Sequence, residues 1–381
     1  MIHGSDKSIM INEKIIKKFD IPGNLIDIRQ KTNGIINKTY VATYNQDGKN
    51  ERYLIQQINN NVFKNPYELM KNIENVTSFL QKQMDEQNDT KHKVLKVIKT
   101  TDNKNLLVCK NEKNENEFYR AYNFIENSIC YNTSENNEVV YNTGKAFGNF
   151  QKLLNNYPMD KLAETIKDFH NTKKRFETFE QTVEKNIANR VCKAKDEIEF
   201  ILNRKDLSKI IVEKLEKKEI PLRVTHNDTK VNNVMMNKDT HDFLAVVDLD
   251  TVMPGSGLYD YGDGIRSAAS NSLEDETDLS KVFIKKDLFE KYTDGFLSEV
   301  ATCMNEEEVR LMGTSIRLIT FELALRFLDD YLNGDTYFAC NYENHNLDRA
   351  RNQIKLVEDI ESKIEYMNNY ILKSYEKYKN K

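Results

Sequence analysis

The stretch 223–250, RVTHNDTKVNNVMMNKDTHDFLAVVDLD, constrains this chain more than any other part of it. It places Asp228, Lys230 and Asn233 in the spacing D-x-K-x-x-N, and Asp248 follows an apolar run. Phosphoryl transfer needs a base for the acceptor hydroxyl, a cation that offsets phosphate charge, and oxygen ligands for a metal ion. We therefore predict a kinase-type catalytic loop, with Asp228 as the base and Lys230 facing the phosphates. Asn233 and Asp248 are the predicted Mg²⁺ ligands.

A plain β-hairpin with solvated acids at both ends is the alternative interpretation of this stretch. His226 alone is typical of a buried, hydrogen-bonded side chain rather than of a catalytic group. The full pattern favours the catalytic interpretation, because its acids fall at two strand ends where one ion could bridge them. After the stretch, a helix from Leu258 should turn Asp260 and Asp263 back toward the loop.

Composition and charge exclude several classes of protein. The 381 residues suit two lobes around one cleft rather than a single small domain. The net charge is −4, from 56 basic and 60 acidic residues, so no basic field for nucleic acid or an anionic membrane is evident. No run approaches the roughly 18–20 apolar residues of a membrane span, and the N-terminal sequence has no apolar core of signal-peptide length. We expect a monomer that binds neither nucleic acid nor a membrane.

The cysteines indicate a reducing compartment. There are five of them, an odd number, and no C-x-x-C pair occurs. This pattern disfavours a disulfide framework and a zinc site. We therefore expect a cytoplasmic protein.

The periodicity predicts an α+β fold with a small mixed sheet in the first lobe and a mostly helical second lobe. In the first lobe it predicts helices at 10–19 and 66–84 and strands at 25–30, 39–44, 52–58, 94–98, 106–109 and 117–125. In the second it predicts helices at 135–155, 176–190, 193–203, 207–217, 285–300, 306–332 and 347–372. We place the lobe boundary in the strand that runs out near 124, giving a nucleotide-covering lobe, 1–124, and a catalytic and acceptor lobe, 125–381.

The first lobe departs from a typical kinase in two places. The loop that should cover the nucleotide has a single glycine, Gly34, and an ordinary hairpin explains it equally well. Gln56 and Gln57 occupy the strand position where a kinase offers its phosphate-binding lysine. Glu74 has the position of the acid that would pair with such a lysine, and it is equally explained as a solvated helix residue.

A long helix at 306–332 carries a candidate acceptor-binding residue, Arg326. It lies beside an apolar stripe formed by Leu323, Phe327 and Tyr331. A guanidinium offers fork-like donors to oxygen-rich ligands. The alternative is a salt bridge to an aspartate one turn on, at 329 or 330.

These segments resemble the aminoglycoside phosphotransferase/choline kinase superfamily, and within it most closely the N-acetylhexosamine 1-kinases. The resemblance rests on IPLRVTHNDTKVNN, DLDTVMPGS, YDYGDGIR, LEDETDLSKV, RFLDDYLNGDTYFA and HNLDRARNQIKLV. It extends nearly end to end, from GIINKTY and RYLIQQIN onwards.

The resemblance implies a bilobal protein-kinase-like fold and Mg²⁺-dependent transfer of the ATP γ-phosphate to the anomeric hydroxyl of GlcNAc or GalNAc. By position, Arg326 and Tyr337 fall where the family contacts the sugar. Ile35 and Ser267 depart from the residues expected near the acceptor, a polar and an aromatic side chain respectively. We expect the nucleotide to contact Gly34, Asn37, Thr39, Gln56, Tyr122 and Phe124.

Two other functions remain open at the level of sequence. One is a kinase of the same superfamily with a different acceptor, such as another sugar, an aminoglycoside or a choline-like amino alcohol. The other is a non-catalytic nucleotide-binding protein, which is disfavoured because Asp228, Asn233 and Asp248 are all present. A cationic acceptor would need a pocket lined by acids, whereas Arg326 favours a neutral, oxygen-rich acceptor.

Overall fold

The computed structural model describes residues 11–31, 36–133 and 135–380. The chain divides into two compact units, of which the first ends at Asn127 and the second begins at Ser128. Gly34 and Ile35 lie outside the described residues. The division of function between 1–124 and 125–381 stays a prediction.

One antiparallel sheet forms the frame of the first unit. Its strands lie in the order β1-β2-β3-β6-β4, and β5 also pairs with β6. The elements are α1 (Glu13–Ile16), β1 (Asn24–Lys31), β2 (Lys38–Gln46), β3 (Lys49–Ile58), α2 (Pro66–Glu86), β4 (Val97–Ile98), β5 (Leu107–Lys110) and β6 (Asn116–Asn123). Helix α2 begins with Pro66 in its first turn, and the Asn65 side chain accepts the Glu68 N–H at 3.3 Å, so both start signals are used.

The two faces of this sheet differ in chemistry because side chains alternate along each strand. Tyr40, Ile55 and Tyr119 lie on one face and pack with Ile16 of α1 in a buried core. The neighbouring residues Thr39, Gln56 and Arg120 lie on the other face, directly opposite one another on β2, β3 and β6. A polar row therefore crosses the middle of the sheet.

The helix predicted over 10–19 is wrong in length, since α1 spans only Glu13–Ile16. Phe19 forms a β-bridge with Thr100, and the Asp20 N–H bonds the Lys99 carbonyl at 2.8 Å. These contacts draw the backbone out of the helix. The apolar residues have helical spacing, but the pairing of Phe19 with the segment around Thr100 ends the helix early.

The second unit is mostly helical and contains two small sheets. These have the strand orders β10-β9-β7 and β11-β8. The elements are β7 (Ser128–Ile129), α3 (Asn137–Leu153), α4 (Thr172–Lys185), α5 (Lys195–Leu202), α6 (Lys205–Glu216), β8 (Arg223–Thr225), β9 (Val234–Asn237), β10 (Phe243–Val246), β11 (Met253–Gly255), α7 (Gly257–Ala269), α8 (Lys286–Val300), α9 (Glu306–Leu332) and α10 (His345–Tyr378). Among the helices of the described ranges, none combines the length and the apolar character of a membrane span.

The start of α9 is tied to β8 by one carboxylate. Glu308 completes a capping box with Asn305, accepting the Asn305 N–H at 2.9 Å while the Asn305 side chain accepts the Glu308 N–H at 2.8 Å. The same carboxylate accepts two N–H groups of buried Arg223 at 2.6 and 2.7 Å. This bidentate pair fixes the strand that leads into the predicted catalytic loop.

Helices α3 and α8 touch backbone to backbone because glycines lie at their crossing. A Cβ added to Gly295 of α8 would lie 2.0 Å from the Tyr141 carbonyl oxygen of α3. A Cβ on Gly144 of α3 would lie 2.2 Å from the Tyr292 carbonyl oxygen. No side chain larger than hydrogen fits between these helices at these points.

We predict that Gly295→Ala lowers the free energy of unfolding by at least about 2 kcal/mol, since the added methyl group must push two packed helices apart. Chemical denaturation measures the loss. Lys291→Ala, on the exposed side of the same helix, is the matched control and should change stability by less than about 0.5 kcal/mol. Equal stability of Gly295→Ala and wild type would contradict the close packing.

Candidate active site

The predicted catalytic loop leaves β8 at Thr225 and is held against β11. Thr225 pairs with Met253, and its Oγ1 donates to the Met253 carbonyl at 2.8 Å. Asn227 then adopts a left-handed conformation with φ 64°, which asparagine tolerates better than most residues. Its Nδ2 donates to the Thr251 carbonyl at 2.8 Å, so the turn is fixed to the segment that follows Asp248.

Asp228, Lys230 and Asn233 come together as predicted. The Lys230 Nζ lies 3.0 Å from one carboxylate oxygen of Asp228. The Asn233 Nδ2 donates to the other at 3.0 Å and to the Asp228 carbonyl at 2.8 Å. The side chains of Asp228 and Lys230 are 30% and 42% exposed, so the group is open to solvent on one side.

Asp248 enters the site from the end of β10. It lies two residues beyond the strand and has φ 61°, a left-handed conformation that aspartate adopts more readily than most residues. The preceding residue, Val247, donates its N–H to the Asn233 carbonyl at 2.9 Å. Asp248 therefore follows directly after a backbone bond to Asn233, the other predicted metal ligand.

His226 is a buried structural side chain, as the alternative interpretation of this residue suggested. It is 0% exposed and lies edge-on between the rings of Phe147 and Phe150, at 5.4 and 5.8 Å. Its Nδ1 accepts the Asp228 N–H at 3.3 Å, and its Nε2 bonds the Val247 carbonyl at 2.9 Å. His226 thus connects the residue that carries the predicted base with the residue before Asp248.

Two carboxylates of α7 hold the loop backbone, as predicted. Asp260 accepts the N–H groups of His226 at 2.9 Å and Asn227 at 2.8 Å. Asp263 accepts the Thr229 N–H at 2.9 Å. Burial raises the pKa of Asp260 above its ordinary value, although these hydrogen bonds favour the charged form.

Nearby carboxylates keep Lys230 protonated. The carboxylate of Asp228, and more distantly those of Glu274 and Asp263, raise the pKa of Lys230 against the effect of burial. Burial alone would raise the pKa of Asp263, but the charges of Arg266 and Lys230 bring it below its ordinary value. Lys230 is therefore a permanent cation beside the predicted base.

A second cluster surrounds Arg326 on α9. Its guanidinium carbon lies 5.4, 5.6 and 5.9 Å from the ring centres of Phe338, Phe169 and Tyr337. Among the described side chains no carboxylate lies within 4 Å of it, so the salt bridge to an aspartate one turn on is not formed. Asp330 instead accepts the N–H groups of residues 336, 337 and 338 at 2.8–2.9 Å, which fixes the segment that carries Tyr337.

A buried carboxylate, Glu322, lies one helical turn before Arg326, and sequence reasoning missed its partners. It bonds His170 Nδ1 at 2.7 Å and accepts the Thr172 hydroxyl, and Arg175 lies 3.8 Å away. Burial would raise the pKa of Glu322, but the charges of His170, Arg175 and Arg326 lower it to about 2. The i, i+4 spacing places Glu322 and Arg326 on one helix face but gives no signal for the distant partners of Glu322.

This cluster adjoins the helix that holds the catalytic loop. The His170 ring lies 5.0 Å from the ring of Tyr259, whose next residue is Asp260. The His170 Nε2 is buried and has no hydrogen-bond partner in the described ranges. Ser267, further along α7, is half-buried and follows Arg266.

Three of the predicted nucleotide contacts lie on the polar face of the first unit's sheet. The Gln56 Nε2 donates to the Thr39 Oγ1 at 3.1 Å, and Gln56 also bonds Arg120. Tyr122 lies on the same face as Arg120, two residues along β6, with the guanidinium carbon 5.3 Å from its ring centre. Sequence reasoning did not single out Arg120, although an arginine within an apolar strand is a signal.

Two other residues predicted to contact the nucleotide, Asn37 and Phe124, have different partners. The Asn37 Oδ1 accepts the Asn59 N–H at 2.9 Å, and the guanidinium carbon of Arg52 lies 4.0 Å from the Phe124 ring centre. Gly34 lies outside the described residues. The role of each in nucleotide binding stays a prediction.

A profile of the phosphotransferase enzyme family matches residues 27–279. The match covers most of the chain and includes the loop around Asp228 and helix α7. The chain belongs to the phosphotransferase enzyme family. It is therefore a small-molecule kinase, and the family assignment leaves its acceptor open.

Solved structures share the fold of this family member at low identity. An aminoglycoside phosphotransferase from Alicyclobacillus acidocaldarius has a TM-score of 0.61 at 13% identity, covering 96% of this chain and 97% of its own. A microcompartment-associated aminopropanol kinase has a TM-score of 0.60 at 12% identity, covering 93% and 97%. The amicoumacin kinase hAmiN, in complex with AMP-PNP, Ca²⁺ and amicoumacin, has a TM-score of 0.57 at 13% identity, covering 92% of each. The predicted α+β, protein-kinase-like fold is confirmed.

We predict that Asp260→Asn in this phosphotransferase lowers both stability and turnover. The amide can accept one of the two loop N–H groups but turns its own NH₂ toward the other, at a cost of about 1–3 kcal/mol. Thermal unfolding and steady-state kinetics measure the two effects. Asp287→Asn, an exposed carboxylate on α8, should leave both unchanged, and equal behaviour of the two variants would refute the anchoring role.

Proposed function

We propose that the protein transfers the γ-phosphoryl group of ATP to the anomeric hydroxyl of an N-acetylhexosamine, yielding the sugar 1-phosphate. The observation that carries this proposal is the environment of Arg326. Its guanidinium is surrounded by three aromatic rings with no carboxylate within 4 Å among the described residues. Such a surface offers directed donors and ring faces, which suit a neutral sugar with an acetamido group.

Asp228 acts as the base in this proposal. Its two carboxylate oxygens are oriented by Lys230 and Asn233, at 3.0 Å each. As the acceptor oxygen forms its bond to the γ-phosphorus, the bond from phosphorus to the β–γ bridging oxygen breaks. The hydroxyl proton passes to Asp228, and ADP leaves with the electron pair. Lys230 offsets charge on the phosphates.

Asn233 and Asp248 are the residues that would hold a magnesium ion. The amide nitrogen of Asn233 faces Asp228, so its oxygen is the atom that remains for a cation. In the part of the chain that the structure describes, no cluster of three His, Cys, Asp or Glu side chains could hold a metal. A two-ligand site completed by phosphate and water oxygens fits magnesium, which would neutralise charge on the transferred group.

The acceptor would be recognised by groups that have hydrogen-bonding capacity to spare. Tyr337 is 68% exposed beside Arg326, and the buried Nε2 of His170 has no hydrogen-bond partner among the described residues. Hydroxyl and acetamide oxygens accept from a guanidinium, and the acetamide methyl group packs on ring faces. Arg326, Tyr337 and His170 together are the proposed sugar-binding groups, with Ser267 as the position that tunes the choice of epimer.

A cationic acceptor, such as an amino alcohol, is the second candidate, and Asp329 is the observation that favours it. This residue lies three positions after Arg326, and its buried Oδ1 has no hydrogen-bond partner in the part of the chain that the structure describes, although Thr182 and Asn333 interact with the carboxyl group. A carboxylate of this kind could receive an ammonium group. Burial raises the pKa of Asp329, however, which weakens it as an anionic partner.

We predict that Asp228→Asn keeps the fold and nucleotide affinity but loses turnover by roughly 10²–10⁴-fold, the usual contribution of a positioned base. Steady-state kinetics and nucleotide titration separate the two properties. Asp239→Asn, an exposed carboxylate in the turn between β9 and β10, is the control and should retain full activity. Near-wild-type kcat in Asp228→Asn would reject the assignment of the base.

The acceptor is tested by ATP consumption with GlcNAc, GalNAc, glucose, galactose, choline and an aminoglycoside, with NMR to locate the phosphate. We predict that the two N-acetylhexosamines are preferred over glucose and galactose by on the order of 10²-fold or more in kcat/KM. The reason is that a sugar lacking the acetamido group leaves polar groups of the site unpaired.

Arg326→Lys should raise KM for the sugar and leave KM for ATP nearly unchanged, because lysine cannot reproduce the planar fork. Arg310→Lys, on an exposed position of the same helix, is the matched control. If choline or the aminoglycoside is the best acceptor, the Asp329 alternative replaces the sugar proposal. Equal impairment toward ATP and sugar would remove Arg326 from the acceptor site.

A further inference from the structure

Arg120 is an arginine enclosed in the sheet of the first unit, with 1% of its surface exposed. It lies on β6 directly opposite Gln56 of β3, which in turn lies opposite Thr39 of β2. The Arg120 Nε donates to the Gln56 Oε1 at 2.9 Å, and the Gln56 Nε2 donates to the Thr39 Oγ1 at 3.1 Å. The three side chains form one hydrogen-bonded row across three strands.

This row lies where a typical kinase would have its phosphate-binding lysine. A lysine on the third strand and an acid from the following helix form that pair in kinases. Here the strand carries Gln56, and Glu74 of α2 accepts a hydrogen bond from the Asn105 side chain. Arg120 thus brings a positive charge to the Gln56 position from the neighbouring strand, since residues opposite one another on paired strands share a face.

We propose that Arg120 is the phosphate-binding cation of the nucleotide site and that Gln56 is its positioning residue. The proposal rests on the proposed function, because it takes ATP as the phosphoryl donor. Gln56 and Thr39 are both predicted to contact the nucleotide, and the hydrogen-bonded row connects both of them to Arg120.

The hydrogen bond to Gln56 suits this role. It engages the Nε–H of Arg120, whereas phosphate oxygens are recognised in a fork geometry by pairs of guanidinium N–H groups. A neutral amide orients the guanidinium without cancelling its charge. Arg120 makes further interactions and is 1% exposed in this structure, so a phosphate would have to replace some of these contacts to reach the guanidinium.

Calorimetric titration with ATP, ADP and adenosine in the presence of Mg²⁺ tests the proposal without relying on turnover. Arg120→Met should weaken binding of ATP and ADP by about 10- to 100-fold, the usual effect of losing a charge-assisted hydrogen bond. Adenosine, which has no phosphate, should bind equally well to both proteins. Arg120→Lys should fall between Arg120→Met and wild type.

The exchange Gln56→Arg/Arg120→Gln covers the case in which Arg120→Met does not fold, since it keeps one cation and one amide on the same two strands. It should restore nucleotide affinity to within a few-fold of wild type. Gln56→Met should weaken ATP binding less than Arg120→Met does. Gln57→Met, on the opposite face of the sheet, is the matched control and should bind ATP as wild type does.

Three outcomes separate this inference from the proposed function. If the wild-type protein binds no ATP, the proposed function fails. If the wild type binds and uses ATP while a folded Arg120→Met variant binds ATP and adenosine with unchanged relative affinities, or a folded exchanged variant loses affinity for ATP but not for adenosine, only the role of Arg120 is overturned. A loss that is equal for adenosine and ATP would likewise assign Arg120 a structural role alone.

Discussion

The catalytic loop depends on one buried carboxylate. Asp260 accepts the peptide N–H groups of His226 and Asn227, the two residues that precede the proposed base. Asn227 has φ 64°, and a turn of this kind exposes consecutive N–H groups that regular structure cannot satisfy. The carboxylate satisfies both at once and is itself held by the Gln151 amide at 3.1 Å. Burial disfavours the charged form of Asp260, so the carboxylate depends on the hydrogen bonds from His226, Asn227 and Gln151.

The anchor acts on the backbone of the loop, and other side chains extend it on both sides. His226 extends it toward Asp248, since its two ring nitrogens bond the Asp228 N–H and the Val247 carbonyl. At the start of β8, the side chain of Arg223 is held by the carboxylate of Glu308. The position of Asp228 is thus fixed by contacts to three separate parts of the fold, namely α7, the residue that follows β10, and α9. Positioning of this accuracy is what phosphoryl transfer requires of a protein.

The sequence predicted the loop well because its chemistry is local. Asp228, Lys230 and Asn233 lie within six residues of one another, and the spacing alone brings them together. It could not predict the partners of Glu322, because His170 lies about 150 positions away and only the packing of α4 on α9 joins them. Nor could it pair Gln56 with Arg120, since a shift of one residue in strand register would move the arginine to the other face. Strand register and the packing of distant helices are the features that the sequence pattern does not supply.

Helix α7 lies between the proposed acceptor-binding cluster and the catalytic loop. Tyr259 faces the cluster of His170 and Arg326, whereas the next residue, Asp260, is turned by about 100° and faces the loop. The family match ends at residue 279, before α9 begins, so the matched region contains the loop around Asp228, whereas Arg326 and Tyr337, the proposed acceptor groups, lie beyond it. If Arg326 and Tyr337 contact the acceptor as proposed, a substitution at either residue changes the acceptor site without altering a hydrogen bond of the loop. One anchored loop could then serve different acceptors, because the side chains proposed to select the acceptor are not the ones that hold Asp228.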